Sequence, residues 1–191
     1  MFNESQLDAL KELCNIGSGS AATVLSAFLC ADIRIEVPRI LNAPEAERLF
    51  GGGGEWVMVG HAIGGPLGGR LVVTAREKDV RKILRALLGG VPPGWRENDM
   101  AASAIREVSN ILTSYFLAVL GRFFDQVLVP GVPDLEVGSP ATLMENLAAR
   151  EGMLVETSFR EKGGSSLWYL FVLPDPPAME LALNRLLEKG S

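Results

Sequence analysis

A polar triplet recurs in this chain at a fixed distance. Asp8, Glu12 and Asn15 are matched by Ser103, Glu107 and Asn110, 95 positions further on. On a helix, the spacing i, i+4, i+7 holds three side chains within an arc of roughly 60°. A carboxylate and a carboxamide therefore stand one turn apart on one stripe, and the chain presents that stripe twice. Gly19 and Ser114 extend each stripe by a turn, and both are small enough for a partner's backbone to approach closely. The recurrence predicts a single domain, 1–191, made of two homologous halves at about 1–90 and 96–191. A period of about 95 residues is far too long for a solenoid.

The elements around the stripes repeat in the same order. Residues 3–29 read as a helix, with Ser5 and Asp8 resembling a capping box and Leu7, Leu10, Cys14, Ala21, Leu25 and Phe28 forming an apolar face. Gly17 and Gly19 inside it each cost about 1 kcal/mol of helix propensity. Close packing on one side and close approach of a partner on the other would offset that. Residues 32–37 alternate as a half-buried strand ending at Pro38, and 45–50 read as a short polar turn or helix. Residues 56–62 and 69–75 form a hairpin through Gly64-Gly65-Pro66, and 77–88 an amphipathic helix. The break at 89–94 is rich in glycine and proline.

After it come a long helix over 98–124, carrying Tyr115, Phe116, Phe123 and Phe124, most of them core candidates, and an irregular stretch with Pro130, Pro133 and Pro140. A short helical run around 144–149, a second hairpin over 153–159 and 167–173, and a last helix over 176–189 complete the plan. Met144 and Met153 are ordinary core candidates. Two such halves predict an α+β fold: a mostly antiparallel sheet with pseudo-two-fold symmetry and long helices packed on it.

Composition removes several classes of function. With 48% hydrophobic and 21% charged residues, the chain has enough apolar surface for a core and is too apolar for disorder. A net charge of -5 with no basic cluster argues against nucleic acid. No apolar run reaches about 18 residues and no charged-plus-apolar leader opens the chain, so a cytoplasmic protein without membrane insertion is expected. Cys14 and Cys30 sit about four turns apart on one helix, cannot bridge, and read as two packed thiols in a reducing compartment. His61 is the sole histidine and no CxxC is present, so no metal site is expected; His61 itself reads as a surface or packed side chain. The four glycines at 51–54 lack the Lys-Ser/Thr of a phosphate loop and read as a flexible turn.

A lone Glu-x2-Asn on a helix is usually a solvated face; its repetition, with a small residue on each stripe, reverses that reading. The two stretches Asp8-x3-Glu12-x2-Asn15-x22-Pro38 and Ser103-x3-Glu107-x2-Asn110-x22-Pro133 both resemble the D/S-x3-E-x2-N-x22-P motif of the CheC/CheX/FliY family of chemotaxis phosphatases. The resemblance spans essentially the whole chain. FliY proteins carry an additional C-terminal flagellar-switch domain that this sequence does not reach, and CheX proteins have one intact motif and work as dimers. Duplication with both motifs in a short chain is most similar to the CheC type.

The resemblance implies hydrolysis of the aspartyl phosphate on the response regulator CheY. Water attacks an acyl phosphate in line with the leaving carboxylate, and the regulator contributes a Mg²⁺ ion and a lysine. The phosphatase then needs no cofactor of its own and only has to place the water. A side-chain amide suits that task, because it both donates and accepts and carries no charge against the phosphoryl oxygens. By the family's scheme Asn15 and Asn110 orient the water, while Glu12 and Glu107 pair with the regulator's lysine. Asp8 and Ser103 are expected as docking contacts, and Pro38, matched by Pro133, as a rigid end for the strand behind the helix. The resemblance also implies pairing with the receptor deamidase CheD. A second expectation is therefore a binding module that regulates CheD or sequesters phosphorylated CheY with little turnover.

Overall fold

The computed structural model describes residues 2–51, 53–142, 145, 154–164 and 166–189. Two 26-residue helices, α1 (Glu4–Leu29) and α4 (Asp99–Phe124), pack against each other at its centre. They are copies in register. A shift of 95 residues carries the first and last residues of α1 onto those of α4, the cap Asn3 onto the cap Asn98, and the left-handed C-cap Cys30 (φ 50°) onto Asp125 (φ 55°). Asn3 accepts from the Gln6 N–H at 2.9 Å while the Gln6 side chain accepts from the Asn3 N–H at 2.7 Å. The capping box thus lies two residues earlier than Ser5–Asp8, which leaves Asp8 on the helix surface. Leu10, Leu13 and Leu25 are buried, and so are their counterparts Ile105, Val108 and Leu120.

Between these helices run β1 (Ile33–Ile35), β2 (Arg39–Leu41), α2 (Ala43–Phe50), the hairpin β3 (Trp56–Gly64) and β4 (Arg70–Arg76), and α3 (Glu77–Leu88). After α4 come β5 (Val129–Pro130), β6 (Asp134–Gly138), the hairpin β7 (Leu154–Glu161) and β8 (Ser166–Leu173), and α5 (Pro176–Lys189). Val80, Ile83 and Leu84 of α3 are buried, as are Met179, Ala182 and Leu183 of α5, 99 residues later.

The strands form one antiparallel sheet of eight, with the hairpins side by side at its centre through β4 and β8. Each edge is exchanged between halves. β1 and β2 pair with β7 of the second half, and β5 and β6 pair with β3 of the first. The two halves therefore complete one another, and the pseudo-two-fold axis falls between β4 and β8. Alternation splits the sheet into two faces. Val57 and Val59 join the main core under the long helices, while Trp56 and Met58 turn to the other face with Phe50 of α2 and Phe171.

Several expectations change on this scaffold. The strand expected to end at Pro38 resumes after it as β2, so the proline sits in a turn between two short strands. The stretch with Pro130 and Pro133 is the equivalent pair β5 and β6 rather than irregular. Cys30 is exposed at the helix end, so only Cys14 is a core thiol. Phe28, Tyr115 and Phe123 are exposed, whereas Phe116 is fully buried. The helical run expected at 144–149 lies outside the described residues apart from Glu145, which is helical, and Met144 and Met153 lie outside them as well.

Candidate functional site

Each long helix turns its core face inward and its polar stripe outward. On α1, Asp8 and Glu12 are exposed and Asn15 and Gly19 half-buried; on α4, Ser103 and Glu107 are exposed and Asn110 and Ser114 half-buried. The two stripes match position by position in burial as they do in sequence. Asp8 bonds Lys11 at 3.2 Å on its own helix. Among the described residues, the side chains of Glu12, Asn15, Glu107 and Asn110 have no hydrogen-bond or ion-pair partner. Two amides and two carboxylates therefore remain open to a docked molecule.

The glycines of α1 divide their work. A Cβ on Gly17 would sit 2.8 Å from the buried Phe116 ring, so only glycine lets α4 approach this closely. A Cβ on Gly19 would meet only Ile35, at 3.9 Å, leaving its outer side open.

Each stripe is flanked by a groove between its helix and the short strands. The first, of about 830 Å³, is lined by Leu7, Lys11, Pro38 and Ile40 among others. The second, of about 520 Å³, is lined by Ala102, Arg106 and Leu135, the residues 95 positions on from Leu7, Lys11 and Ile40. Lys11 and Arg106 thus stand at matching places beside the two stripes. The motif prolines occupy equivalent turns, Pro38 between β1 and β2 and Pro133 between β5 and β6. Val37 and Val132, just before them, are 76% and 90% exposed. Neither the paired cations nor the paired valines were singled out from the sequence; applying the 95-residue register to every position would have found them.

Burial pushes the Cys14 thiol up to about 12, which keeps it protonated and unreactive. Among the described residues, no cluster of three or more His, Cys, Asp or Glu side chains could hold a metal ion. No helix among them is long and apolar enough to cross a membrane.

The class of protein defined here is a duplicated α+β scaffold that displays an exposed glutamate and a half-buried asparagine, one turn apart, on each of two long helices. The sequence model of the CheC-like family matches residues 6–41, which contain the first motif. The chain is 27% identical over 193 residues to the CheY-P phosphatase CheC of Bacillus subtilis, covering 94% of this chain and 92% of that protein. It is 30% identical over 134 residues to the CheC1 protein of Halobacterium salinarum, covering 65% of this chain and 67% of that one. The solved structure of Thermotoga maritima FliY superposes with a TM-score of 0.74 at 22% identity, covering 97% of this chain and 99% of that one. The chain belongs to the CheC-like family, within the CheC/CheX/FliY group.

Proposed function

We propose that this protein accelerates hydrolysis of the aspartyl phosphate of the response regulator CheY, using Asn15 and Asn110 to position the attacking water. The observation that carries the reading is the repeated stripe: a half-buried asparagine one turn from an exposed glutamate, both without protein partners, on each of two helices. Relatives of this chain bear the name CheY-P phosphatase, which favours the same substrate here.

The residues suit the reaction. An acyl phosphate is activated already, so the barrier to be removed is mainly that of orienting water in line with the leaving carboxylate. Half-burial restricts the rotamers of Asn15 and Asn110 while leaving the amide reachable. Its oxygen accepts from the water and its N–H₂ donates, with no charge to repel the phosphoryl group. Glu12 and Glu107 set the docking angle by pairing with the regulator's lysine. The Mg²⁺ at the phosphoryl group is the regulator's, and this chain contributes no nucleophile.

The test is the decay of phosphorylated CheY in Mg²⁺, with and without this protein and its Asn15→Ala/Asn110→Ala variant. Acceleration by the wild type and none by the variant, with binding retained, is the expected result. Acceleration kept in full by the variant overturns the water-positioning role. No acceleration by the wild type, with CheY or CheD still captured, favours the binding module instead.

A further inference from the structure

His61 lies behind the second stripe. It is fully buried on β3, with Nδ1 3.2 Å from the Gly131 carbonyl oxygen and Nε2 2.8 Å from Ser109 Oγ. A carbonyl can only accept, so Nδ1 carries the proton; in the neutral ring Nε2 then accepts, and the Ser109 hydroxyl donates to it. Burial holds the imidazole below its usual range, against the opposite pull of the Gly131 carbonyl, and the nearby Arg70 on β4 lowers it further. Arg70 is itself paired with Asp134 of β6 at 2.9 Å.

The ring's two partners belong to the two parts of the second motif. Ser109 immediately precedes Asn110 on α4, and Gly131 lies two residues before Pro133. The Gly131 N–H also donates to the Ala62 carbonyl at 2.8 Å, so the turn is held to β3 on both sides of the ring. On α4 itself, the buried Thr113 hydroxyl bonds the Ser109 carbonyl at 2.9 Å and the Asn110 carbonyl at 3.3 Å. The first half has no counterpart at these positions; its own side-chain tie from helix to strand lies further along α1, where Ser26 Oγ accepts from the Ile33 N–H at 3.0 Å. The 95-residue register puts Cys14 opposite Ser109 and Ser18 opposite Thr113. Cys14 makes no side-chain hydrogen bond among the described residues, and Ser18 Oγ is buried without a partner there.

We infer that His61 is a positioning residue for the second stripe. Through Ser109 it fixes the rotation of α4 at Asn110 relative to the turn that carries Pro133, and the first stripe works without an equivalent. This rests on the phosphatase reading of the stripes. Removing the tie leaves docking intact and loosens the asparagine, so kcat falls and KM does not.

The experiment isolates one stripe at a time. In an Asn15→Ala background, where only the second stripe turns over, Ser109→Ala is expected to lower kcat for CheY-P decay about three- to tenfold, with KM within about twofold. His61→Gln, whose amide can donate and accept, is expected to retain more activity than His61→Ala. An equal fall on the first stripe, read with Ser109→Ala in an Asn110→Ala background, overturns the proposal in favour of general destabilisation. An unchanged second-stripe kcat overturns it directly. Amide hydrogen exchange separates this from failure of the phosphatase reading. Ser109→Ala is expected to speed exchange at 107–113 and 129–133 but not at 12–18; unchanged exchange there overturns the positioning role even if the protein accelerates nothing.

Discussion

The two stripes agree in what they show and differ in what holds them. Outwardly, Asp8, Glu12, Asn15 and Gly19 have the same burial as Ser103, Glu107, Asn110 and Ser114. Inwardly, directly behind Asn15 the first stripe is supported by packing, the thiol of Cys14 and the contact of Gly17 with Phe116, and its helix is tied to β1 only further along, by Ser26 accepting from the Ile33 N–H at 3.0 Å. The second is backed by hydrogen bonds from His61 and Thr113. Apolar packing fixes a helix by shape, and hydrogen bonds fix it by direction. The duplicated scaffold thus repeats the glutamate and the asparagine on its surface and the apolar pattern of its core, and it differs directly behind the asparagines, where Cys14 faces Ser109 in the register.

The strongest way to break the comparison is to silence one stripe. Asn15→Ala and Asn110→Ala are each expected to remove turnover at their own stripe, on the order of a hundredfold there. The whole protein would then retain the share of the remaining stripe. Measured CheY-P decay that falls completely in either single variant would mean that the stripes act as one site.

The two α1 glycines give opposite signs. Gly17→Ala gains about 1 kcal/mol of helix propensity but drives a methyl into the Phe116 ring, where overpacking costs about 1–3 kcal/mol. A net loss of up to about 2 kcal/mol is expected in urea unfolding. Gly19→Ala meets open space toward the stripe and is expected to stabilise by up to about 1 kcal/mol. It should also weaken CheY-P binding, since the added methyl stands where a partner's backbone would approach. Stabilisation without any loss of binding would remove Gly19 from the docking surface.

Much of this molecule was legible in the sequence. The helices 77–88 and 176–189 have the bounds expected from their amphipathic spacing and from the glycines and prolines around them. The contents of both stripes follow from spacing alone. The exchange of edge strands was not readable. β5 has two residues and β2 three, too short for alternation to register; the alternation that marks β1 names no partner, and Arg39 pairs with Glu156, 117 positions away. The cap at Asn3 was missed because Ser5 and Asp8 satisfy the same local pattern; Asn98 at the matching place in the second half would have decided between them. The tie from His61 to Ser109 joins two elements by folding alone, and no local pattern announces it.

The smallest effect concerns the residue after each motif proline, where the tether to the sheet reverses polarity. Arg39 binds Glu156 of β7 at 2.9 Å, whereas Asp134 receives Arg70 of β4 at 2.9 Å. The acid is buried in the first pair and exposed in the second. Burial pushes the Glu156 carboxyl above its ordinary 4.5, Arg39 draws it back, and the neighbouring Glu36 adds to the rise. The folded chain then holds a proton that the unfolded chain has released. Between 4.5 and the raised value, stability falls as pH rises. Glu156→Gln abolishes that dependence while keeping an acceptor for Arg39. Its urea midpoint relative to wild type should therefore climb as pH rises above 4.5 and level off above the raised value. Asp134→Asn breaks an exposed pair and is expected to cost no more than about 1 kcal/mol. A difference between Glu156→Gln and wild type that stays flat with pH would mean that Arg39 fully offsets the burial of its partner, and that the two tethers differ in sign alone.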